Sequence, residues 1–207
     1  MPKISVLTPS VRPEGLKVTR ETLLKQTFRD FEWLVEINAS GEPDLNHAYN
    51  RMIRRSKGEL IVSLQDFIEL PEDALEKCWA YYMQYPTRFV TFPVSQGEPN
   101  KWDWRGVQSE HKARYMDWEV DFGMAPRKIL CDIGGFDEEL DYRTWGYDNV
   151  NVGVRAELAG HEIWSCPDIR ANGLPHERKT FRDKQRAALH NERLEEIRNG
   201  LKLPSLL

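Results

Sequence analysis

The stretch Gly58-Glu-Leu-Ile-Val-Ser-Leu-Gln-Asp-Phe-Ile-Glu-Leu-Pro71 decides the fold. Its apolar run from Leu60 to Leu64 has the composition of a strand that is buried on both faces, as strands of parallel sheets are. The run ends at a single acid, Asp66, and Pro71 then favours the start of a helix. Ligands of open α/β sheets bind at the carboxyl ends of the strands. We therefore expect a metal ion or a phosphate-bearing substrate beside Asp66.

The residues before this stretch alternate between strand and helix patterns. Strands are predicted at 3–8, 31–37 and 60–64, with helices at about 14–26 and from residue 45 to Gly58. Asp44 is the expected cap of the second helix. This order predicts parallel strands joined by right-handed crossovers. No Gly-x-Gly-x-x-Gly follows the first strand and no P-loop motif occurs, so neither of those two nucleotide-binding motifs is supported.

The rest of the chain is predicted to hold shorter elements of the same kinds. The predicted order is helix 71–84, strand 88–93, loop 97–112, strand 115–125, helix 126–133, helix 145–160, strand 161–166 and helix 181–199. The last helix is highly charged, with a thin apolar stripe at Ala188, Leu189, Leu194 and Ile197. We assign residues 1–178 to one domain. Residues 179–207 form a charged helix and tail that packs either on this domain or on a second copy in a homo-oligomer.

Composition favours a soluble, cytoplasmic protein. The chain has 207 residues, of which 40% are hydrophobic and 30% charged, and a formal net charge of −4. This charge gives no general reason to expect nucleic acid as a partner. No stretch has the length and apolarity of a transmembrane segment, and no signal-like sequence opens the chain. Three widely spaced cysteines, Cys78, Cys131 and Cys166, predict reduced buried thiols rather than a disulfide framework or a zinc cluster.

Several segments together resemble family-2 glycosyltransferases of the GT-A fold. They include Ile4-Ser-Val-Leu-Thr-Pro-Ser10, Lys25-Gln-Thr-Phe-Arg-Asp-Phe-Glu-Trp33, Gly58-Glu-Leu-Ile61 and Gly134-Gly-Phe-Asp-Glu138, in the family's order. The resemblance covers roughly residues 3–178. It implies a Rossmann-like α/β fold with a mixed, mainly parallel sheet flanked by helices. It also implies transfer of a hexosyl or N-acetylhexosaminyl group from a nucleotide diphosphate, here expected to be a UDP-sugar, to a hydroxyl of a glycan or related acceptor.

The same resemblance implies a divalent cation, Mn²⁺ or Mg²⁺, as cofactor. The family's short acidic motif, Asp-Asp followed by four residues and Pro, is matched by Gln65 to Pro71. Gln65 takes the position that contacts the ribose or donor sugar, and Asp66 takes that of the metal ligand. His176 matches a late histidine that completes the metal site. Such cations use one or two carboxylates plus substrate phosphates, so a single acid predicts weak metal binding. Alternatively, Asp66 merely caps the turn between strand and helix.

Further donor-binding residues are implied by position in the family pattern. Pro9, Ser10 and Arg12 match the loop after the first strand, which lines the nucleotide, although Arg12 also suits a solvated turn. Asn38 stands where a carboxylate normally recognises the base, and an amide can still hydrogen-bond a base edge. Two basic residues are placed for the diphosphate, namely Arg178 and Lys179.

The segment from Trp145 to Asn151 carries the catalytic prediction. It resembles the Trp-Gly-x-Glu-Asp-x-Asp motif of galactosyltransferases and the Trp-Gly-x-Glu-Asn-x-Glu motif of polypeptide N-acetylgalactosaminyltransferases. In inverting relatives the second acid is the general base, but here that position is Asn149, which cannot accept the proton. Either Asp148 acts instead, or the enzyme is retaining, or Asp148 is only a favourable acid at a helix start. Acceptor contacts are expected from Trp104, Trp145 and Gly146.

Two other functions remain open from the sequence. Because Asn38, Gln65 and Asn149 replace acids at three family positions, the chain also suits a catalytically silent module that binds a sugar nucleotide or glycan. A nucleotidyltransferase on a related fold would release pyrophosphate from a nucleoside triphosphate and a sugar phosphate. That third class normally opens with a Gly-rich basic segment, which this chain lacks.

Overall fold

A mixed seven-stranded sheet forms the centre of the computed structural model, which describes residues 1–38, 44–96, 109–143, 147–175 and 184–206, without the side chains of 96, 143 and 184–186. The strands are β1 (Ile4–Ser10), β2 (Phe31–Ile37), β3 (Leu60–Leu64), β4 (Ile68–Glu69), β5 (Phe89–Thr91), β6 (Val94–Gln96), β7 (His111–Lys112), β8 (Phe122–Pro126), β9 (Ile163–Ser165) and β10 (Ala171–Gly173). The main sheet has the order β2-β1-β3-β8-β5-β9-β7.

Most strands of this sheet run in one direction. Strand β1 pairs in parallel with β2 and β3, so that Ile4 lies opposite both Phe31 and Leu60. Strands β5 and β9 share this direction, whereas β8 and β7 run against it. The predicted mixed, mainly parallel sheet is therefore confirmed, and β2 and β3 have the predicted bounds.

A second sheet of three very short strands was not predicted. Its order is β4-β10-β6, and each strand has only two or three residues, too few to show a periodic pattern. Next to β10, the backbone N–H of Leu174 donates to the carbonyl of Phe67 at 2.8 Å. The small sheet thus ties the chain at Leu174 to the turn that carries Asp66.

Seven helices flank the main sheet in the described ranges. They are α1 (Gly15–Leu24), α2 (Leu45–Arg55), α3 (Ala74–Gln84), α4 (Arg127–Asp132), α5 (Glu139–Arg143), α6 (Asp148–Leu158) and α7 (Lys184–Arg198). Helix α3 begins three residues later than predicted, after a turn in which Ala74 N–H donates to the Pro71 carbonyl at 3.1 Å. Part of the strand predicted at 115–125 is instead a 3₁₀ helix at Tyr115–Asp117. Helix α5 was not predicted.

Helix α2 is capped by a residue distant in sequence, which corrects the prediction for Asp44. The side chain of Asp44 makes no capping hydrogen bond, and its Oδ2 lies 2.7 Å from Nη2 of Arg51. Asp141 on α5 accepts the backbone N–H groups of Asn46 and His47, both at 3.0 Å. Because the first N–H groups of a helix have no partner within it, this carboxylate completes the start of α2.

The two faces of the main sheet are covered by different helices. Alternating side chains of β1 and β3 divide between them, with Val6 and Val62 in one apolar cluster and Leu7 and Ile61 in the other. Helices α1 and α3 cover the first face, and α2, α4 and α6 cover the second. The three cysteines are buried free thiols, as predicted.

Helix α7 packs on α5 and α6 of the same chain. Leu194 and Ile197 from the predicted stripe are buried with Val154, whereas Ala188 is exposed. The buried face of α7 also includes two residues that the apolar pattern missed, His190 and Arg193. No helix within the described residues is long and apolar enough to cross a bilayer.

Close packing of α6 against the 3₁₀ helix depends on Gly153. A Cβ at this position would clash with the backbone carbonyl of Tyr115, which cannot rotate away as a side chain can. We expect Gly153→Ala to lower the free energy of unfolding by about 1–3 kcal/mol, although alanine has the better helix propensity. Urea denaturation measures the change.

A matched control for this substitution is Gly160→Asn. Gly160 ends α6 with a φ of +86°, and an added Cβ there would meet nothing within 4 Å. Asparagine tolerates left-handed backbone better than most residues, so we expect a smaller loss of stability than in Gly153→Ala. Unchanged stability in Gly153→Ala would contradict the described contact between α6 and the 3₁₀ helix.

Candidate functional site

Asp66 lies in the turn after β3 and is held by two residues from the end of β1. Its side chain is 4% exposed. Ser10 Oγ donates to Asp66 Oδ2 at 2.7 Å, and Arg12 Nη2 donates to Asp66 Oδ1 at 3.1 Å. The guanidinium carbon of Arg12 also lies 5.2 Å from the ring centroid of Phe67. The structure therefore brings Ser10, Arg12 and Asp66 together at the carboxyl edge of the sheet.

The local backbone explains how this cluster forms. Phe67 has a left-handed conformation, with a φ of +61°, which turns the chain sharply after Asp66. Helix α1 begins at Gly15 against this turn, and a Cβ on Gly15 would lie 2.6 Å from the Phe67 ring and 2.9 Å from Asp66 Cβ. Glycine is thus needed at the start of α1. The positive end of the α1 dipole consequently lies beside Asp66.

Other predicted donor-binding residues lie at the same edge. Asn38 follows β2, and its backbone N–H donates to the Ser10 carbonyl at 2.9 Å. Pro9 pairs with Glu36 in β2, and Gln65 is half-buried at the end of β3. Six predicted residues lie outside the described ranges: Trp104, Trp145, Gly146, His176, Arg178 and Lys179.

Asp148 is a buried carboxylate at the start of α6. Its Oδ1 accepts a hydrogen bond from Asn46 Nδ2 at 2.5 Å, and the same nitrogen donates to Asp141 Oδ1 at 2.8 Å. Burial is the main cause that raises the pKa of Asp148 to about 6, and the negative charges of Asp141 and Asp137 add to it, whereas the Asn46 hydrogen bond opposes it. A carboxylate that titrates near neutral pH suits general-base catalysis.

Asn149 has a different environment from its neighbour. It is buried, and its Nδ2 donates to the carbonyl of Trp118 at 2.7 Å. The residue before Asp148, Tyr147, has a φ of +66° and stacks on His190 with ring centroids 4.5 Å apart. Burial lowers the pKa of His190 to about 4, and the positive charge of Arg198 adds to this effect. A neutral imidazole therefore supports the turn into α6.

The buried phenol of Tyr49 is influenced by both Asp66 and Asp148. Tyr49 is fully buried on α2, and its hydroxyl lies 2.6 Å from Ser63 Oγ on β3. Burial raises the pKa of Tyr49, and the negative charges of Asp148, Asp121 and Asp66 act in the same direction. Asp66 and Asp148 therefore both lie within electrostatic range of the same side chain.

Several residues around Asp148 were not found from the sequence. His47 Nδ1 lies 2.8 Å from Asp141 Oδ2, and His47 Nε2 lies 3.3 Å from Glu138 Oε2. Among the described residues, Asp44, His47 and Asp141 each offer one ligand atom, and these atoms lie within 4.8 Å of one another. This spacing is compatible with one metal ion. No sequence motif links these residues, because α2 and α5 meet only in the folded chain.

The Gly134-Gly-Phe-Asp-Glu138 segment precedes α5 and contacts the helices around Asp148. Gly134 and Gly135 have φ values of +90° and +63°. Asn50 donates to the Phe136 carbonyl and accepts the Phe136 N–H, each at 2.8 Å. Asp137 forms a two-pronged ion pair with Arg193 of α7, at 2.7 and 3.1 Å. Arg155 of α6 donates to the Gly135 carbonyl at 2.6 Å. This segment thus joins α2, α6 and α7.

Solved structures with the same architecture come from S. aureus TarS, a glycosyltransferase. Its residues 1–349 with UDP match with a TM-score of 0.62 at 15% identity, over 82% of this chain and 60% of that one. The complex with UDP-GlcNAc gives 0.63 at 12% identity, over 90% and 61%. The fold is that of a GT-A glycosyltransferase.

The GT-A assignment rests on structure rather than on sequence. No protein-family model and no curated protein matches the chain. A longer TarS chain also matches, with a TM-score of 0.63 at 16% identity, over 84% of this chain. This protein spans about 60% of the length of TarS 1–349 and 37% of the longer TarS chain. The expected nucleotide-sugar transferase fold is confirmed.

Proposed function

We propose that this protein transfers a hexosyl or N-acetylhexosaminyl group from a UDP-sugar to a hydroxyl of a glycan or related acceptor. The observation that carries the proposal is a pair of buried carboxylates, Asp66 after β3 and Asp148 at the start of α6. One carboxylate belongs to a cluster at the strand edge, where ligands of α/β sheets bind. The other has the raised pKa that a proton acceptor needs. The TarS complexes with UDP and UDP-GlcNAc support this choice of donor.

The donor is proposed to bind at the carboxyl ends of β1, β2 and β3. Arg12 supplies positive charge to the diphosphate, and its side chain is 28% exposed. Asn38 binds the base through its amide, and Gln65 binds the ribose or the sugar. Pro9 and Ser10 line the nucleotide. Two residues in the segment after β10 add further positive charge to the diphosphate, Arg178 and Lys179.

A divalent cation, Mn²⁺ or Mg²⁺, is the proposed cofactor. Among the described residues, Asp66 accepts one hydrogen bond on each oxygen. A carboxylate oxygen has two lone pairs, so Asp66 can still serve as a hard oxygen ligand. We propose Asp66 and His176 as the residues that hold the cation. When bound, such a cation offsets the negative charge of the leaving diphosphate.

Asp148 is the proposed general base of an inverting transfer. It accepts the proton of the acceptor hydroxyl while that oxygen bonds to the anomeric carbon of the sugar. The bond from this carbon to the diphosphate breaks, and its electron pair leaves with UDP. Acceptor contacts are proposed from Trp104, Trp145 and Gly146, by the motif similar to those of galactosyltransferases and polypeptide N-acetylgalactosaminyltransferases. Asn149 takes no part in this step, since its amide is bound to the Trp118 carbonyl.

Calorimetric titration with UDP, with and without Mn²⁺, tests the donor site. We expect metal-dependent UDP binding that is lost in Asp66→Ala, because Asp66 is the only acid at the end of β3. Glu69→Ala is the matched control, since it removes an exposed carboxylate from β4, which directly follows this turn, and should bind UDP like the wild type. Equal affinity in Asp66→Ala and the wild type would remove Asp66 from the metal site.

Turnover of UDP-sugars with water or glycan acceptors tests the reaction itself. A second candidate function, a silent binding module, is favoured by one observation: the family's base position is occupied by Asn149, which holds the core. UDP binding without turnover of any donor would favour that module. Absence of UDP binding under all conditions would reject both functions.

A further inference from the structure

We propose that Asn46 is the positioning residue for the general base, holding Asp148 with one fixed carboxylate oxygen directed to the acceptor. The inference rests on the proposed role of Asp148. Asn46 belongs to none of the segments that resemble glycosyltransferases. Among the described residues, its hydrogen bonds go to Asp141 and Asp148. It acts through Asp148 rather than on the substrate.

The side-chain amide of Asn46 links two carboxylates. Nδ2 carries two hydrogens, and it lies 2.5 Å from Asp148 Oδ1 and 2.8 Å from Asp141 Oδ1. Each hydrogen thus has one carboxylate acceptor. Hydrogen bonds between an amide and a charged oxygen are stronger than neutral ones, and they are stronger still away from water. Asn46 is fully buried, so both bonds lie in such surroundings.

Asn46 is itself held in place. Its backbone N–H donates to Asp141 Oδ1 at 3.0 Å. The backbone and the side chain of Asn46 therefore both donate to the same oxygen of Asp141. Asp141 is held in turn by the backbone N–H and the ring nitrogen of His47, at 3.0 and 2.8 Å. The rigid start of α2 therefore fixes the amide that binds Asp148.

This geometry assigns different tasks to the two oxygens of Asp148. Oδ1 accepts a hydrogen bond from Asn46, and we assign to Oδ2 the proton of the acceptor hydroxyl. Asparagine suits the position because one nitrogen with two hydrogens can bridge two carboxylates. An aspartate at this position would add a third negative charge, and an alanine would remove the hydrogen bond that Asn46 donates to Asp148.

Charged and titratable groups in the surroundings of Asp148 come from several elements. They comprise His47 and Tyr49 on α2, Asp137 and Glu138 before α5, Asp141 on α5, Arg155 on α6, and His190 and Arg193 on α7. Of these, Asp141 and Asp137 disfavour the charged form of Asp148, and the Asn46 bond favours it. Removal of that bond therefore raises the pH at which Asp148 titrates.

The test compares Asn46→Ala with the wild type in two measurements on the full chain. In transfer assays we expect kcat to fall roughly 10- to 100-fold with KM for the UDP-sugar nearly unchanged, because a misplaced base slows the reaction without weakening the donor. In carbon-13 NMR of labelled aspartate carboxyls, we expect the Asp148 midpoint to rise. Asn46→Ser keeps one hydrogen-bond donor, so its kcat and its Asp148 midpoint should lie between those of the wild type and of Asn46→Ala. This variant replaces Asn46→Ala in the test if the alanine variant fails to fold.

Gln26→Ala is the matched control. Gln26 is another fully buried amide, which bonds the Pro71 carbonyl at 2.8 Å and the Leu75 N–H at 3.0 Å, on the opposite face of the sheet. It should lower stability without changing the Asp148 midpoint or the ratio of kcat to KM. Equal effects of Gln26→Ala and Asn46→Ala would show that Asn46 only stabilises the fold and would overturn the proposal.

A double-mutant cycle separates this proposal from the proposed function. In an Asp148→Asn background, Asn46→Ala should cause no further loss of kcat, since the group through which it acts is gone. A further loss equal to that in the wild type would overturn the proposal. If no donor is turned over by the wild type, the proposed function fails. The NMR midpoint still decides, in that case, whether Asn46 controls Asp148.

Discussion

Replacing Arg193 by alanine is expected to lower the free energy of unfolding by about 3–5 kcal/mol. Arg193 and Asp137 are both buried, and their two contacts measure 2.7 and 3.1 Å. Arg193 also pairs with Glu196 at 2.6 Å, but that partner is half-exposed and contributes little. Among the described residues, loss of the guanidinium leaves the Asp137 carboxylate in the interior with weak donors, such as the Asn151 amide at 3.3 Å, and with the charge of Arg155, to which no hydrogen bond is formed. The main penalty is therefore an unpaired buried charge.

Urea denaturation followed by circular dichroism measures this effect. Arg198→Ala provides the control, because Arg198 is 43% exposed and its ion pair with Glu195 spans 3.6 Å. We expect that variant to change stability by less than about 1 kcal/mol. A second variant, Arg193→Ala with Asp137→Asn, should recover part of the loss by removing the unpaired charge. Similar stabilities for Arg193→Ala and Arg198→Ala would refute the buried ion pair.

Asp148→Asn is expected to slow transfer strongly while making the fold more stable at pH 7.5. Loss of a general base typically costs roughly 10²- to 10⁴-fold in rate. The pKa of Asp148 is about 6 in the folded chain, above its ordinary value of 3.8. Between these values the folded state binds more protons than the unfolded state, so stability falls as the pH rises through this window. Asparagine removes this cost, which is about 2–3 kcal/mol above pH 6.

Thermal denaturation of both proteins at pH 7.5 and pH 4 checks the sign. The gain from Asp148→Asn should be full at pH 7.5 and small at pH 4. His190 titrates with the opposite sign, because its lowered pKa makes stability rise with pH between about 4 and 6.5. It is present in both proteins, so the difference between them isolates Asp148. A variant that is less stable than the wild type at pH 7.5 would refute the raised pKa.

Much of the site at the carboxyl edge of the sheet was predictable, because the sequence patterns that indicate it are local. The apolar run of β3, the acid that follows it and the polar turn after β1 are each visible within a few residues. Parallel strands place their carboxyl ends side by side, so the cluster of Ser10, Arg12 and Asp66 follows from the order of elements. The hydrogen-bond partners within this cluster could be identified only from the structure.

The surroundings of Asp148 were not predictable for the opposite reason. Its contact with Asn46 and the cap that Asp141 provides for α2 join residues about a hundred positions apart. In the sequence, each of these residues has the pattern of an ordinary polar side chain on a helix. Likewise, the apolar stripe of α7 correctly predicted that Leu194 and Ile197 are buried, but it did not predict the burial of Arg193. A buried arginine can be predicted only when its acidic partner is known.

The Arg193–Asp137 pair has a consequence for the order of events during synthesis. Domains generally fold as the ribosome extends them, from the N-terminus onward. The strands that carry the donor edge are complete once β3 has left the exit tunnel, whereas Asp137 gains its counter-ion only after α7 has followed. We therefore expect a nascent chain that stops before α7 to contain the proposed donor site without a fixed position for the proposed proton acceptor. The proposed site for the donor would then form before the proposed site for catalysis.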